Sequence, residues 1–144
     1  NHKRSREPMI RSTEWVSDEE TLKVLEFERR ARWRRADMFD HNVITEASWP
    51  LLQELFAAEL KGERLRTNAL SATSGLPLTT VLRYLDHLEK FDVIRRERDE
   101  DDQRVTLVLL SDAGKYWMRE YYSKVISQEG SLSLNSTDTS STDS

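Results

Sequence analysis

Apolar residues recur at helical spacing over residues 18–39, a stretch without glycine or proline. Ser17 and Glu20 form a capping box just before it, which predicts a helix start there. The apolar positions fall on two seams, that is, two stripes along the helix. A helix with two apolar stripes packs against two surfaces, for example its own core and a partner chain. The seams are Leu22, Leu25, Ala36 and Phe39, and Val24, Phe27, Ala31 and Met38.

A second helix is predicted to begin after Thr45 or Ser48, with Pro50 in its first turn, and to end at Lys61 and Gly62. Its expected buried stripe comprises Trp49, Leu52, Leu55, Phe56 and Leu60.

The next segment is typical of a helix-turn-helix. Residues 67–75 predict a short helix that Thr67 caps and Gly75 ends. Pro77 then opens a longer amphipathic helix that continues to about Phe91 and has a polar outer face. A short helix, a tight glycine turn and a second amphipathic helix together indicate this motif.

Two strands and a last helix complete the pattern. Ile94 to Arg98 and Val105 to Leu110 flank a polar loop, which predicts a β-hairpin. Ser111 is placed to cap a final helix. Residues 1–16 show no periodicity and are interpreted as an arm, and residues 129–144 as a disordered Ser/Thr-rich tail.

Composition limits the possible functions. The 144 residues carry a net charge of −4 and contain no cysteine, which excludes disulfide scaffolds, thiol catalysis and thiol redox switches. No apolar run reaches the length of a membrane span, and no secretory signal is recognisable, so we expect a cytoplasmic protein. Residues 99–104 contain four acids and one arginine, so much of the acidity is local.

Residues 70–114 resemble the DNA-binding core of the MarR family of bacterial transcriptional regulators. The resemblance rests on Asp101-Asp102-Gln103-Arg104, which is similar to the family's D-D-x-R wing, followed by Leu107, Leu110, Ser111 and Gly114. It extends weakly to Ile44-Thr45 and Trp49. One departure is Asp92, which stands where the family usually has glycine after the recognition helix.

The resemblance implies a mainly α fold with a small β-hairpin wing, in which a winged helix-turn-helix is flanked by N- and C-terminal dimerisation helices. It implies a MarR-like domain over residues 17–128 with its DNA-binding core at about 45–114. It also implies a homodimer that regulates transcription, more often as a repressor. The recognition helix, 78–91, would enter the major groove of double-stranded DNA and the wing, 95–110, the minor groove.

Candidate DNA contacts follow from the chemistry of each position. Arg83 suits bidentate contact with guanine, and Arg104 suits the minor groove. Arg98 either faces DNA or pairs with the wing acids, and the resemblance implies that Asp101 or Asp102 holds Arg104 by a salt bridge. The remaining candidates are Arg66, Thr67 and Asn68 at the start of the short helix, and Leu78, Thr79, Thr80 and His87 on the recognition helix.

Two other classes of function are weaker alternatives. No catalytic or phosphate-binding motif is present, so no enzyme, cofactor or metal site is expected. Asp37, Asp40 and His41 have spacing that fits a metal site, but they are better explained as polar residues at a helix end. The net acidity leaves open a winged-helix protein-interaction module without specific DNA binding. The arginine run 29–35 is interpreted as a solvated face, with phosphate or partner contact as the alternative.

In the resembled family a small aromatic or phenolic ligand often binds between the dimerisation helices and the winged helix. The candidates for such a pocket here are Trp15, Trp33, Phe39, His41, Trp49 and Phe56. The alternative is that these aromatic residues only form core and dimer interface.

Overall fold

A computed structural model describes residues 14–130 of the chain. Of the predicted arm and tail, residues 1–13 and 131–144 lie outside the described residues. Glu129, expected to begin the tail, is instead the last residue of the final helix. No helix among those described is long and apolar enough to span a membrane. The elements are α1 (Asp18–Met38), α2 (Trp49–Lys61), β1 (Leu65–Arg66), α3 (Thr67–Ser74), α4 (Leu78–Lys90), β2 (Ile94–Arg98), β3 (Thr106–Leu110) and α5 (Asp112–Glu129). The fold class predicted from the sequence is confirmed: mainly helical, with a hairpin wing.

The first helix begins where its capping box predicts. The backbone N–H of Glu20 donates to Oγ of Ser17 at 3.1 Å, which satisfies one free N–H group of the first turn. None of the residues of α1 is fully buried. The chain divides into two compact units whose boundary falls inside this helix, between Trp33 and Arg34. The domain limits expected from the sequence remain a prediction.

The start of α3 differs from the expectation. Thr67 is its first residue and not its cap, because Arg66 occupies the cap position in an extended conformation. The Thr67 hydroxyl instead donates to the carbonyl oxygen of Thr106 at 3.4 Å, across to the wing. Gly75 ends this helix in the left-handed conformation, as predicted.

The sheet contains a strand that the sequence pattern did not predict. The two-residue β1 pairs antiparallel with β3, opposing Leu65 to Val108, so the strand order is β1-β3-β2. Two residues are too few to show an alternating pattern. The hairpin itself is as expected, except that β3 begins at Thr106, one residue later than predicted.

The core lies among α2, α3, α4, the sheet and α5. Its fully buried side chains include Leu51, Leu52, Leu70, Val81, Leu85, Leu88, Val93, Ile94, Val108, Leu110 and Met118. Leu60, expected in the buried stripe of α2, is 57% exposed because it lies in the last turn of that helix. Ser111 caps α5 by accepting a hydrogen bond from the backbone N–H of Gly114 at 3.0 Å, as predicted.

The turn after α4 is a Schellman motif with an unusual residue. The N–H of Val93 donates to the carbonyl of Leu88 at 2.9 Å, and that of Asp92 to the carbonyl of Glu89 at 3.0 Å. Asp92 has φ of 60°, the left-handed conformation that usually belongs to glycine. The departure from the family pattern at this position therefore leaves the turn itself unchanged.

Two arginines join different elements of the fold. Arg35 binds both carboxylate oxygens of Glu46, at 2.8 and 2.7 Å, and the hydroxyl of Tyr121 at 3.1 Å. The hydrogen bond to Glu46 raises the pKa of Arg35 above its ordinary value. Arg96 of β2 contacts Asp86 and Glu89 of α4, both at 2.6 Å, so the wing is anchored to the recognition helix.

Candidate nucleic-acid interface

A concave surface of about 340 Å³ lies between the starts of α3 and α4 and the wing. It is lined by Arg66, Thr67, Asn68, Leu78, Leu82, Arg104, Val105 and Thr106. We call it the wing groove. Five of the residues predicted to contact DNA are therefore brought together, although they come from three separate parts of the sequence. Leu82, Val105 and Thr106 were not among the predicted contacts.

The recognition helix α4 buries one face and exposes the other. Val81, Leu85 and Leu88 are buried, whereas Thr79 and Arg83 are exposed, so the predicted polarity of the helix is correct. The Arg83 guanidinium lies 5.3 Å from the ring centroid of Tyr84, one position along the helix. Thr80 is half-buried.

His87, at the far end of α4, contacts another part of the protein. Its Nε2 lies 2.6 Å from the carbonyl oxygen of Asn42 in the loop between α1 and α2. Its ring also packs against Phe91, with the centroids 5.0 Å apart. This hydrogen bond uses one of the two ring nitrogens that His87 could offer to DNA.

Arg104 projects from the tip of the wing and is 91% exposed. Asp102 holds its guanidinium through two hydrogen bonds, at 3.1 and 3.2 Å, and also accepts from the Arg104 backbone N–H. These bonds lower the pKa of the Asp102 carboxyl, and the charge of Arg66 contributes. Asp101 is not the partner; its backbone N–H donates to Oδ1 of Asp99 in the loop turn.

Arg98 stabilises the same loop from the opposite strand. It donates from Nη1 to the carbonyl oxygen of Gln103 at 2.7 Å. This bond goes to the wing backbone and not to a wing carboxylate, while the expected contact of Arg98 with DNA stays a prediction. Its side chain remains exposed, so further hydrogen-bonding capacity is available at the surface.

Of the six aromatic candidates for an effector pocket, Phe39, Trp49 and Phe56 belong to one aromatic cluster of the second compact unit. Phe39 and Trp49 contact each other at 5.9 Å between centroids, and Phe56 stacks on Tyr122 at 5.8 Å. Trp49 also packs edge-on against Tyr121. His41 is exposed, while Trp15 and Trp33 are exposed residues of the other compact unit.

The site and the fold together define a winged-helix protein. Solved structures with the same arrangement include the MepR–DNA complex of S. aureus, which is 20% identical, with coverage of 88% of this chain and 98% of MepR and a TM-score of 0.62. They include NadR in complex with 4-hydroxyphenylacetate, at 17% identity, 86% and 84% coverage and a TM-score of 0.62. AbsC, a MarR family transcriptional regulator from Streptomyces coelicolor, is 22% identical over 80% of this chain and 78% of AbsC, with a TM-score of 0.54.

No protein-family model and no curated protein sequence match the chain. The structural similarity at these identities establishes the fold, which is the winged-helix fold of the MarR-type regulators.

Proposed function

We propose that this chain is a MarR-family transcriptional regulator that binds double-stranded DNA sequence-specifically as a homodimer. We further propose that it acts as a repressor of transcription. Helix α4 would enter the major groove, and the hairpin of β2 and β3 would enter the adjacent minor groove. A major groove is wide enough for one α-helix, so only its exposed residues reach base edges. Thr79 and Arg83 are the exposed polar residues on the first turns of this helix.

The observation that carries the proposal is the pair of exposed arginines in the wing groove. Arg66 and Arg104 come from β1 and the wing and line the same concave surface as the start of the recognition helix. Thr67 and Asn68 begin α3 there, where free N–H groups favour an anion. Two cations and a helix start beside a recognition helix suit a phosphate backbone that passes between groove-binding elements.

Titration of the protein with duplex DNA at two salt concentrations tests this directly. Contacts to phosphates release counterions, so affinity should fall steeply with salt. Arg104→Ala should make that dependence shallower by about one phosphate. Lys124→Ala, which removes the same charge from an exposed position of α5, is the matched control and should leave the slope unchanged. An affinity too weak to measure at low salt would favour the protein-interaction module instead.

Dimerisation is supported by apolar side chains that α1 and α5 leave uncovered. Leu22, Leu25 and Trp33 are exposed on α1, and Tyr116 and Ile126 on α5. Two recognition helices related by two-fold symmetry would contact half-sites about 10 base pairs apart. Light scattering at micromolar concentration should give a dimer. Leu25→Glu should weaken it, whereas Leu60→Glu, at another exposed leucine, should not; a wild-type monomer with and without DNA would contradict the proposal.

The proposal includes regulation by a small aromatic ligand. It is supported by the aromatic cluster that Phe39, Trp49 and Phe56 form with Tyr121 and Tyr122 of α5. A ligand can release DNA only if it binds the two forms with different affinity. A panel of aromatic acids and phenols, assayed for DNA release and for quenching of tryptophan fluorescence, tests this. Quenching without release would mean uncoupled binding, and neither effect would leave the cluster with a structural role alone.

A further inference from the structure

Two leucines are exposed on the surface that would face DNA. Leu78 and Leu82 stand one helical turn apart on α4 and remain 40% and 39% exposed. Both line the wing groove, next to Arg66 and Arg104. Leu82 does not pack into the core as its neighbours Val81 and Leu85 do.

The side chain of leucine can neither donate nor accept a hydrogen bond, so it makes no hydrogen bond to phosphates or to the polar atoms of base edges. The apolar group that base edges display in the major groove is the C5-methyl group of thymine. Covering such a methyl group with an apolar side chain removes both from water, which is favourable. Exposed leucines on a recognition helix that enters the major groove are therefore suited to contact the methyl group of thymine.

We propose that Leu78 and Leu82 recognise the C5-methyl groups of thymines in the preferred DNA site. This inference rests on the proposed function, because it assumes that α4 occupies the major groove. Four residues of α-helix span about 6 Å, compared with a rise of about 3.4 Å per base pair along the DNA axis. The two leucines thus cover a step of one or two base pairs, which predicts thymines close together at that part of each half-site.

The charges around the leucines favour DNA over a protein partner. Arg66 and Arg104 line the same groove as the leucines, together with Thr67 and Asn68 at the start of α3. A helix start favours negative charge. This combination is complementary to a polyanion that also carries apolar groups. A protein partner would have to supply acidic side chains beside apolar ones.

The experiment replaces thymine by deoxyuridine, which lacks only the methyl group, in the tightest-binding duplex selected from a random library. For the wild-type chain, replacement of a contacted thymine should lower affinity about fourfold per methyl group, the value of one buried methylene. Leu78→Ala and Leu82→Ala should each bind the two duplexes with more nearly equal affinity. Leu82→Met should retain the discrimination, and Leu60→Ala, an exposed leucine of α2, is the control. Thermal melts check that each variant is folded.

Equal affinity of the wild-type chain for thymine and deoxyuridine duplexes would overturn the inference while leaving the proposed function intact. Undiminished discrimination in both leucine variants would also overturn it and assign the methyl contact to Thr79 or Thr80. Failure to bind any duplex would remove the proposed function and this inference with it.

Discussion

The carboxylate of Asp102 binds the guanidinium of Arg104 in a side-on geometry, with Nε 3.1 Å from Oδ1 and Nη2 3.2 Å from Oδ2. An acid in a loop that approaches DNA repels phosphates, but here it also fixes the direction of an exposed arginine. A long side chain that is already ordered loses less conformational entropy when it binds.

We therefore expect Asp102→Ala to weaken DNA binding by about 1 kcal/mol, although it removes a negative charge. Asp101→Ala removes the same charge without disturbing the pair and should strengthen binding slightly. Affinities of the two variants at one salt concentration distinguish the effects, because each variant loses one negative charge and only Asp102→Ala removes the partner of Arg104. Similar gains in affinity for both variants would show that Asp102 has no positioning role.

Arg83 and Arg104 should contribute differently to recognition. Arg83→Ala should cost about 1–3 kcal/mol on the best site and relax sequence preference, because arginine binds guanine in a bidentate manner. Arg104→Ala should weaken binding more evenly, except where the site contains a narrow AT-rich minor groove. Selection from a random library with each variant measures both effects. If the Arg83→Ala variant kept the affinity and the sequence preference of the wild type, the assignment of α4 to the major groove would be wrong.

Gly114 tolerates no side chain, because a Cβ there would meet the carbonyl oxygen of Val93. That carbonyl already accepts a hydrogen bond from the Ser111 N–H at 2.9 Å, so it cannot move without loss. Gly114→Ala should lower the free energy of unfolding by about 3 kcal/mol, despite the higher helix propensity of alanine. Ser123→Ala, on an exposed face of the same helix, should be neutral or stabilising in the same denaturant titration. A Gly114→Ala variant as stable as the wild type would contradict this packing.

Replacement of Asp92 by glycine should relieve strain in the backbone of the turn after α4. Its φ of 60° costs a side-chain-bearing residue more than glycine, although aspartate tolerates it better than most. The order of stability should be Asp92→Gly, then wild type, then Asp92→Ala, with about 1 kcal/mol between the two variants. Thermal melts monitored by circular dichroism measure the order. The reverse order would show that the aspartate side chain stabilises the turn.

Tyr122 should make the fold sensitive to alkaline pH. Burial raises the pKa of its hydroxyl above the usual value, and the hydrogen bond from Gln53 at 3.2 Å offsets part of that shift. A raised pKa in the folded state means that stability is complete below about pH 10 and is lost as pH rises through the folded pKa. Tyr122→Phe should reduce the loss of stability above about pH 10. Identical alkaline profiles for wild type and variant would exclude this residue as the cause.

The sequence by itself determined the elements that depend on near neighbours. The cap at Ser17, the stop at Gly75 and the cap at Ser111 each involve residues within a few positions, so the pattern of residue types is sufficient. The same is true of the buried face of α4, which follows from helical spacing. The resemblance at residues 101–104 likewise predicted a wing salt bridge without choosing between its two acids.

Only the tertiary structure decided which groups meet across long separations. It selects Asp102 over Asp101 for Arg104, because the turn directs one carboxylate toward the guanidinium. It brings His87 to Asn42, 45 positions away. The two-residue β1 exists because β3 offers it a hydrogen-bonding edge, and Leu82 lines a groove because the wing stands beside α4. These contacts depend on how elements pack in three dimensions, and local periodicity carries no information about that packing.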